Sequence, residues 1–272
     1  MKAIILAAGI GSRMGMLSDY IPKPIFPLGD KRLIDYAIET AIELKLEPII
    51  IGGYLSNKLK IYLNKKYDGL KFKNSKSGIG VLNTLLESKS MIKEKNFCWL
   101  CSDTIFTDIK KLKELKNKHL KDNSFLSMLI SQNHSYTPSI NIQDGKIKEF
   151  KLLKGKGKEV SSPLFFFSSK KIFDLIESPK IKNPMQEAIN LGKGISYVRY
   201  EGAFGANNPE EYFKLHKKFF KREKGDYIYD SKVNGTKVYN SIIFRSNISS
   251  KDIIRNKIIF GDKYEYKLKC RD

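Results

Sequence analysis

The chain has 272 residues, of which 41% are hydrophobic and 29% charged, as in a globular protein with one large domain and a small appendage. Lysine and arginine outnumber the acidic residues 50 to 29, which gives a formal net charge of +21. No segment approaches the roughly 20 apolar residues of a membrane span. Because the chain opens on an apolar strand pattern, we expect a cytoplasmic protein without a signal peptide or membrane anchor.

The excess of basic residues has two interpretations. One is nucleic-acid binding, and the other is a set of lysines on solvated helix faces such as 110–113 and 214–224. The chain has no interleaved aromatic–basic module and no zinc pattern, so we expect no nucleic-acid partner and a preference for anionic substrates. The cysteines, which lack paired metal spacing, predict reduced thiols: Cys98, Cys101 and Cys270.

Short apolar runs alternate with amphipathic segments along the chain, the pattern of a parallel sheet covered by helices. In the first half we predict strands at 2–8, 47–52, 70–74, 97–101 and 124–130, and helices at 33–44, 57–67, 81–92 and 108–120. In the second half we predict a hairpin with strands 139–142 and 146–150, strands at 163–167 and 195–200, and helices at 184–191 and 209–222. The expected fold class is α/β, a Rossmann-like, doubly wound and mostly parallel sheet over residues 1–224.

Residues 225–272, hereafter the C-terminal appendage, have a different pattern. Isoleucine and valine recur every five or six residues, which predicts one or two coils of a left-handed β-helix. A solenoid of fewer than about three repeats is usually unstable alone. We therefore expect the appendage to dock on its own catalytic domain or on a partner chain in a homo-oligomer. The alternative is an ordinary β-hairpin.

The loop after the first predicted strand has the composition of a phosphate site. Gly9 and Gly11 have no side chains, so backbone N–H groups can approach an anion closely, and Arg13 and Lys23 add positive charge. The spacing Leu-Ala-Ala-Gly-x-Gly-x-Arg-Met at 6–14, with Pro-Lys-Pro at 22–24, is specific. It resembles the signature of the nucleotidyltransferases that join a nucleoside triphosphate to a sugar 1-phosphate or a related phosphate and release pyrophosphate.

This resemblance implies roles for individual residues of the loop. Arg13 and Lys23 would be the catalytic cations, with the guanidinium bridging phosphate oxygens and the ammonium meeting the incoming phosphate monoester. Such transfers depend mainly on positioning and electrostatics. The alternative for each cation is a solvated surface residue. The resemblance also implies that the nucleotide is bound by Leu6, Ala8, Gly9, Gly11 and Ser12.

The resemblance also implies Mg²⁺ as the cofactor, which requires oxygen ligands. Asp103 follows the predicted strand 97–101 and corresponds to the family's metal-binding Asp, with Ser102 in place of a Gly. The segment 201–210 has no Asp and is similar to the Gly-Val-Asn phrase of the N-acetylglucosamine-1-phosphate uridyltransferases, so Asn207 is the candidate second ligand. The alternatives are a turn-capping Asp103 and a helix-capping role for Asn207 or Asn208.

Base and acceptor recognition depart further from the family pattern. The segment 76–80 resembles the Leu-Gly-Thr-Gly loop that reads a pyrimidine, with Gly78 and Gly80 in place but Lys76 where a uridyltransferase would have Gln. The resemblance implies that Lys76, Gly78 and Gly80 bind the nucleotide, and the alternative for Lys76 is an exposed side chain. The family's Glu-Lys-Pro after the hairpin is absent. One of Lys151, Lys154 and Lys156 could replace the family's phosphate-contacting lysine, but we expect a mobile basic loop instead. No histidine lies in a nucleophilic or metal-binding arrangement.

We therefore expect a Mg²⁺-dependent nucleotidyltransferase that uses UTP or dTTP and a sugar 1-phosphate. Two other functions remain open. A cytidylyltransferase acting on phosphocholine or another alcohol phosphate would share the N-terminal signature. A non-catalytic partner subunit that binds a nucleotide-sugar would explain the altered acceptor region.

Overall fold

A computed structural model describes residues 1–132, 139–151, 160–161 and 164–269. The first half contains β1 (Lys2–Ala7), α1 (Leu17–Tyr20), β2 (Pro27–Leu28), β3 (Lys31–Arg32), α2 (Leu33–Glu43), β4 (Glu47–Gly52), α3 (Ser56–Lys66), β5 (Lys71–Asn74), α4 (Val81–Glu87), β6 (Asn96–Cys101), β7 (Thr104–Phe106), α5 (Ile109–Lys121) and β8 (Leu126–Ile130). Next come β9 (Ser139–Gln143), β10 (Lys146–Lys151), β11 (Val160–Ser161), β12 (Phe165–Ser169), α6 (Ile172–Glu177), α7 (Pro184–Asn190), β13 (Ile195–Arg199), β14 (Ala203–Gly205) and α8 (Pro209–Phe219). The appendage contains β15 (Asp226–Tyr229), β16 (Lys232–Asn234), β17 (Lys237–Tyr239), β18 (Ser241–Phe244), β19 (Asn247–Ser249), β20 (Ile253–Arg255), β21 (Lys257–Phe260) and β22 (Tyr264–Lys267).

A seven-stranded sheet forms the centre of the molecule, in the order β13-β8-β12-β6-β1-β4-β5. Every neighbouring pair is parallel except those of β12, which runs antiparallel to both β6 and β8. This confirms the predicted α/β class and mostly parallel sheet. The reversed direction of β12 was not predicted, because a strand that is buried along its whole length has the same apolar pattern in either direction.

Helices cover both faces of this sheet, as in a doubly wound fold. On one face, Ala3 and Ile5 of β1 pack in a cluster that includes residues of α2, α3, α5 and α8. On the other face, Ile4 of β1 packs in a second cluster with residues of α4, α6 and α7. Because β1 is buried on both sides, its sequence is continuously apolar and does not alternate.

Two helix predictions need correction. The helix predicted at 81–92 ends at Glu87, and a 3-10 turn follows; the Ser88 hydroxyl donates to the Leu85 carbonyl (2.6 Å), a local bond that competes with the helix. The helix predicted to reach residue 222 ends at Phe219, and Phe220 leaves the helical conformation with its ring against Gly29. The short helices α1 and α6 were not predicted. No helix in the described part of the chain is long and apolar enough to cross a bilayer.

The appendage forms a three-faced parallel coil. Its ladders are β15-β18-β21, β16-β19 and β17-β20, so successive coils stack at intervals of 15 or 16 residues, as in Asp226 to Ser241 and Ile242 to Ile258. Ile243, Ile254 and Ile259 fill the interior. The β-helix-like prediction is confirmed and the simple hairpin is wrong, although β22 does return antiparallel along β21.

The appendage packs on the domain of its own chain that contains the seven-stranded sheet. The ring of Phe260 meets the ring of Phe26 edge to face, with centroids 4.8 Å apart. An ion pair joins Arg32 to Asp230 (2.7 Å). The apolar residues on this side of the appendage belong to the same cluster as α2 and α8. This contact supplies the support that a short solenoid requires.

Candidate active site

A cavity of about 460 Å³ opens at the carboxyl ends of β1 and β6. These two strands are parallel neighbours, and they mark the point where the strand order changes direction, with β4 and β5 on one side and β12, β8 and β13 on the other. In open α/β sheets, ligands bind at this crevice. The fold therefore places the glycine loop after β1 and the segment Ser102–Asp103 after β6 side by side.

The glycine loop forms one wall of the cavity. Gly11 has φ +74°, and an added Cβ would lie 2.7 Å from the Ser18 hydroxyl oxygen, so a side chain there is excluded by both backbone and space. The Ser18 hydroxyl donates to the Gly11 carbonyl (3.0 Å) and holds the turn. Arg13 lies in the 3-10 turn that follows, with an exposed side chain lining the cavity. All the predicted loop residues line it too: Leu6, Ala8, Gly9, Gly11 and Ser12.

Lys23 is a buried cation at this cavity. It begins a 3-10 turn after Pro22, and the residue is only 8% exposed, which is rare for a lysine. Its Nζ donates to the Asp103 carboxylate, so the two charges compensate each other. The structure thus brings together the residue expected to meet the acceptor phosphate and the residue expected to bind the metal.

A short ladder brings Asn207 to the same place. Strands β7 and β14 pair antiparallel, with Thr104 opposite Gly205, and the Ala206 backbone N–H donates to the Asp103 carbonyl (3.4 Å). Asp103 and Asn207 therefore emerge from adjacent ends of this ladder, and both line the cavity. The cap of α8 is the neighbouring Asn208, as the sequence allowed, so Asn207 is not required for capping.

Sequence reasoning missed Glu211, one turn into α8. Its Oε2 accepts from both the backbone N–H (3.1 Å) and the side-chain Nδ2 (2.8 Å) of Asn207. The signal that could have found it was the spacing Asn-x-x-Glu at 208–211, a capping pattern in which the acidic side chain turns back towards the start of the helix. Other cavity residues were also missed, namely Cys101, Thr84 and Leu164.

The predicted base-reading segment is only partly at the cavity. Gly78 and Gly80, with φ +73° and +86°, line it, and Gly78 approaches the Ile10 side chain so closely that an added Cβ would lie 2.9 Å from Cδ1. Lys76 is exposed and does not line the cavity, although it was predicted to bind the nucleotide. In the mid-chain region, Lys151 lies in β10, while the predicted basic loop with Lys154 and Lys156 is outside the described residues.

Within the described residues, which leave out His134 and Cys270, the thiols and histidines do not supply a nucleophile. Burial raises the pKa of the Cys101 thiol to about 12, and burial raises that of Cys98 further still, so both are protonated at neutral pH. His119 and His216 are fully buried, and burial lowers the pKa of each to about 4. Cys270 lies outside the described residues.

The model of the protein family described as nucleotidyl transferase matches residues 2–198, well over half of the chain. The chain belongs to this family. The match confirms the resemblance seen in the glycine loop, and it includes every site residue predicted from the sequence except Asn207.

The curated relatives that this chain resembles are named for different substrates. The chain is 48% identical over 69 residues to the CTP:phosphoglutamine cytidylyltransferase of Campylobacter jejuni, covering 25% of this chain and 27% of that protein. It is 30% identical over 122 residues to the D-glycero-alpha-D-manno-heptose 1-phosphate guanylyltransferase of the same species, covering 43% and 55%. The matched region thus spans between about a quarter and about half of these relatives.

A solved structure shares the fold. The structure described as a glucose-1-phosphate thymidylyltransferase from Bacillus anthracis in complex with sucrose superposes with a TM-score of 0.72 at 18% identity, over 82% of this chain and 96% of that chain. At this identity the comparison supports the fold and not the substrate.

Proposed function

We propose that the chain catalyses Mg²⁺-dependent transfer of a nucleotidyl group from a pyrimidine nucleoside triphosphate to a phosphate monoester, with release of pyrophosphate. The contact between Lys23 and Asp103 carries this proposal. It joins a cation suited to a phosphate monoester to a carboxylate suited to a metal, beside the glycine loop that can hold a triphosphate.

The residues at the cavity fit a magnesium ion held partly by substrate. Asp103 offers a carboxylate and Asn207 an amide oxygen, the hard ligands that Mg²⁺ prefers. The described residues contain no group of three acidic, cysteine or histidine side chains that could hold a metal alone. The ion, when bound, would neutralise charge on the triphosphate, whose oxygens and water would complete its coordination.

The chain's own residues would carry the rest of the reaction. Lys23 would hold the acceptor phosphate, one of whose oxygens attacks the α-phosphorus while the bond from that phosphorus to the oxygen of pyrophosphate breaks. Arg13, with its exposed guanidinium, would bind the oxygens of the departing pyrophosphate. No side chain is needed as a nucleophile, because such transfers rely on position and charge.

The first candidate substrate pair is UTP or dTTP with a sugar 1-phosphate. Gly78 and Gly80 support a pyrimidine, since their backbone can approach a base closely at the cavity. The second pair is CTP with an alcohol phosphate. It is favoured by the high local identity to the phosphoglutamine cytidylyltransferase and by 44% identity over 68 residues to the choline-phosphate cytidylyltransferase of Streptococcus pneumoniae, covering 25% of this chain and 29% of that protein.

Pyrophosphate release tests the function and separates the pairs. The enzyme would be incubated with Mg²⁺ and each of UTP, dTTP, CTP, GTP and ATP against a panel of sugar 1-phosphates and alcohol phosphates. We expect turnover with one nucleotide and one acceptor class, and none without an acceptor. If the protein binds a nucleotide but releases pyrophosphate with none of the pairs, it is instead a non-catalytic, nucleotide-binding subunit.

A further inference from the structure

The side-chain amide of Asn207 donates a hydrogen bond to the carboxylate of Glu211, on the side away from the cavity. Oε2 of Glu211 accepts from the Asn207 backbone N–H at 3.1 Å and from its Nδ2 at 2.8 Å. The other oxygen, Oε1, accepts from Nδ2 of Asn208 at 3.2 Å. Both oxygens of Glu211 are thus used within this short segment.

This contact decides which way the Asn207 amide points. An ionised carboxylate only accepts hydrogen bonds, so the nitrogen of the amide must face Glu211. Oδ1 lies on the opposite branch of the planar amide and is turned away from Glu211. Because Asn207 lines the cavity beside Asp103, the fixed oxygen is available to a cation there.

We propose that Glu211 is a positioning residue, which acts on a divalent cation through Asn207 by fixing Oδ1 as the atom presented to the site. This inference rests on the proposed function, since it needs the cation that Asp103 and Asn207 would share. Residues that hydrogen-bond to a metal ligand commonly fix its orientation, and their removal lowers the affinity for the metal.

Helix capping alone does not explain the contact. The cap of α8 is made by Asn208 Oδ1, which accepts from the backbone N–H of Glu211 at 2.9 Å and needs no Glu211 side chain. Neighbouring Glu210 is a matched residue on the same turn. Its carboxylate accepts from the Tyr266 hydroxyl (2.6 Å) and does not contact Asn207 in the described contacts.

The test measures Mn²⁺ affinity from the loss of the free-ion EPR signal, without any nucleotide. Glu211→Ala, Glu210→Ala, Asn207→Ala and the double variant Asn207→Ala/Glu211→Ala would be compared in the full chain. Thermal unfolding of each variant shows that it is folded. We expect Glu211→Ala to weaken Mn²⁺ binding about tenfold or more, and Glu210→Ala to leave it within about twofold.

The double variant shows whether Glu211 acts by orienting Asn207 or only through its negative charge. If Glu211 acts through Asn207, its removal has little further effect once Asn207 is alanine. Equal weakening by Glu211→Ala in both backgrounds would overturn the inference and leave the metal site standing, and so would equal affinities for Glu211→Ala and Glu210→Ala. No Mn²⁺ binding to the wild-type protein, either alone or beyond the binding of the analogue itself when a non-hydrolysable α,β-methylene analogue of UTP or CTP is added, would remove the proposed metal site and the inference with it. Unchanged binding in Asp103→Asn would do the same.

Discussion

Lys23 and Asp103 form an ion pair at the cavity although they are 80 residues apart in the chain. The side chains are 10% and 23% exposed, so the pair is partly shielded from solvent. A partly buried charge is costly without a partner, and here each residue serves as the other's partner. The pair therefore holds the carboxylate in place before any substrate is bound.

Removal of the Asp103 charge should stop turnover without unfolding the protein. Asp103→Asn keeps the shape of the side chain but gives the site no carboxylate for a cation. We expect kcat to fall by about two to three orders of magnitude, the size typical for loss of one preorganised electrostatic group. The assay is pyrophosphate release with the nucleotide and acceptor that the substrate panel selects.

Asp122→Asn is the control for that experiment, because Asp122 is at the far end of α5 and carries only a weak 4.0 Å ion pair to Lys118. It should keep wild-type activity. Activity of Asp103→Asn equal to that of Asp122→Asn would show that the Asp103 carboxylate takes no part in the reaction.

Removal of Lys23 should have opposite effects on metal binding and on turnover. In Lys23→Met the Asp103 carboxylate has lost its cation, so Mn²⁺ should bind at least about fivefold more tightly without substrates, because a close charge pair is worth ~1 kcal/mol even in bulk water and more where it is partly shielded from solvent. Pyrophosphate release should fall sharply, because the acceptor phosphate loses its partner. Weaker Mn²⁺ binding in Lys23→Met would contradict the competition between lysine and metal.

The buried histidines should make stability depend on pH. His216 Nδ1 contacts the Tyr212 carbonyl (3.0 Å), and its Nε2 has no hydrogen-bond partner in the described residues. Burial lowers its pKa from 6.5 to about 4, so the unfolded chain takes up the proton first as pH falls. The stability contribution is complete above about pH 6.5 and is lost progressively between pH 6.5 and 4.

Urea unfolding at pH 7 and pH 4.5 measures this effect. We expect His216→Asn, which can still donate to the Tyr212 carbonyl, to lose about 2 kcal/mol less unfolding free energy over this range than the wild type. The carboxylates titrate equally in both proteins and cancel in the comparison. Identical pH dependence in the two proteins would mean that His216 is protonated equally in the folded and unfolded states.

The appendage and the central sheet should unfold together. Phe260 is fully buried against Phe26, and Phe260→Ala should lower the unfolding free energy by about 3–5 kcal/mol. Trp99 is the single tryptophan and is buried in the central sheet, so its fluorescence reports the sheet alone. We expect its transition to move to lower urea in Phe260→Ala.

Ile253→Ala, at a side chain of the appendage that is 58% exposed, is the matched control and should change stability by no more than about 0.5 kcal/mol. An unmoved Trp99 transition in Phe260→Ala would show that the appendage unfolds on its own.

Local patterns in the sequence were sufficient to predict all seven strands of the central sheet, but not the short strands around it. The strand predicted at 47–52 has the observed bounds, because a short apolar run between polar segments has few other structures open to it. The hairpin turn was also predictable from the Asp-Gly pair. Asp144 and Gly145 both have positive φ, as such a turn requires. Strand direction was not readable at β12, where every residue is buried.

Site residues were predictable from the sequence only where they lie together in one short segment. The glycine loop and Lys23 lie within a single motif, and Asp103 lies at a strand end, so local sequence was sufficient to suggest them. Two contacts depend on which strand ends are neighbours in space. They are the ion pair of Lys23 with Asp103 and the hydrogen bonds from Asn207 to Glu211 at the cavity. That information is in the sheet order and in the β7–β14 ladder, which sequence patterns do not encode.

The contact between Phe26 and Phe260 also has a consequence for synthesis on the ribosome. Phe26 is three residues from Lys23, and its ring is covered by the appendage, which is translated more than 200 residues later, as the numbering shows. Until that segment emerges, the nascent chain leaves the apolar ring of Phe26 without this cover, three residues from Lys23. Exposed apolar surface of this kind is prone to aggregation, so folding of the segment around Lys23 is coupled to completion of the appendage.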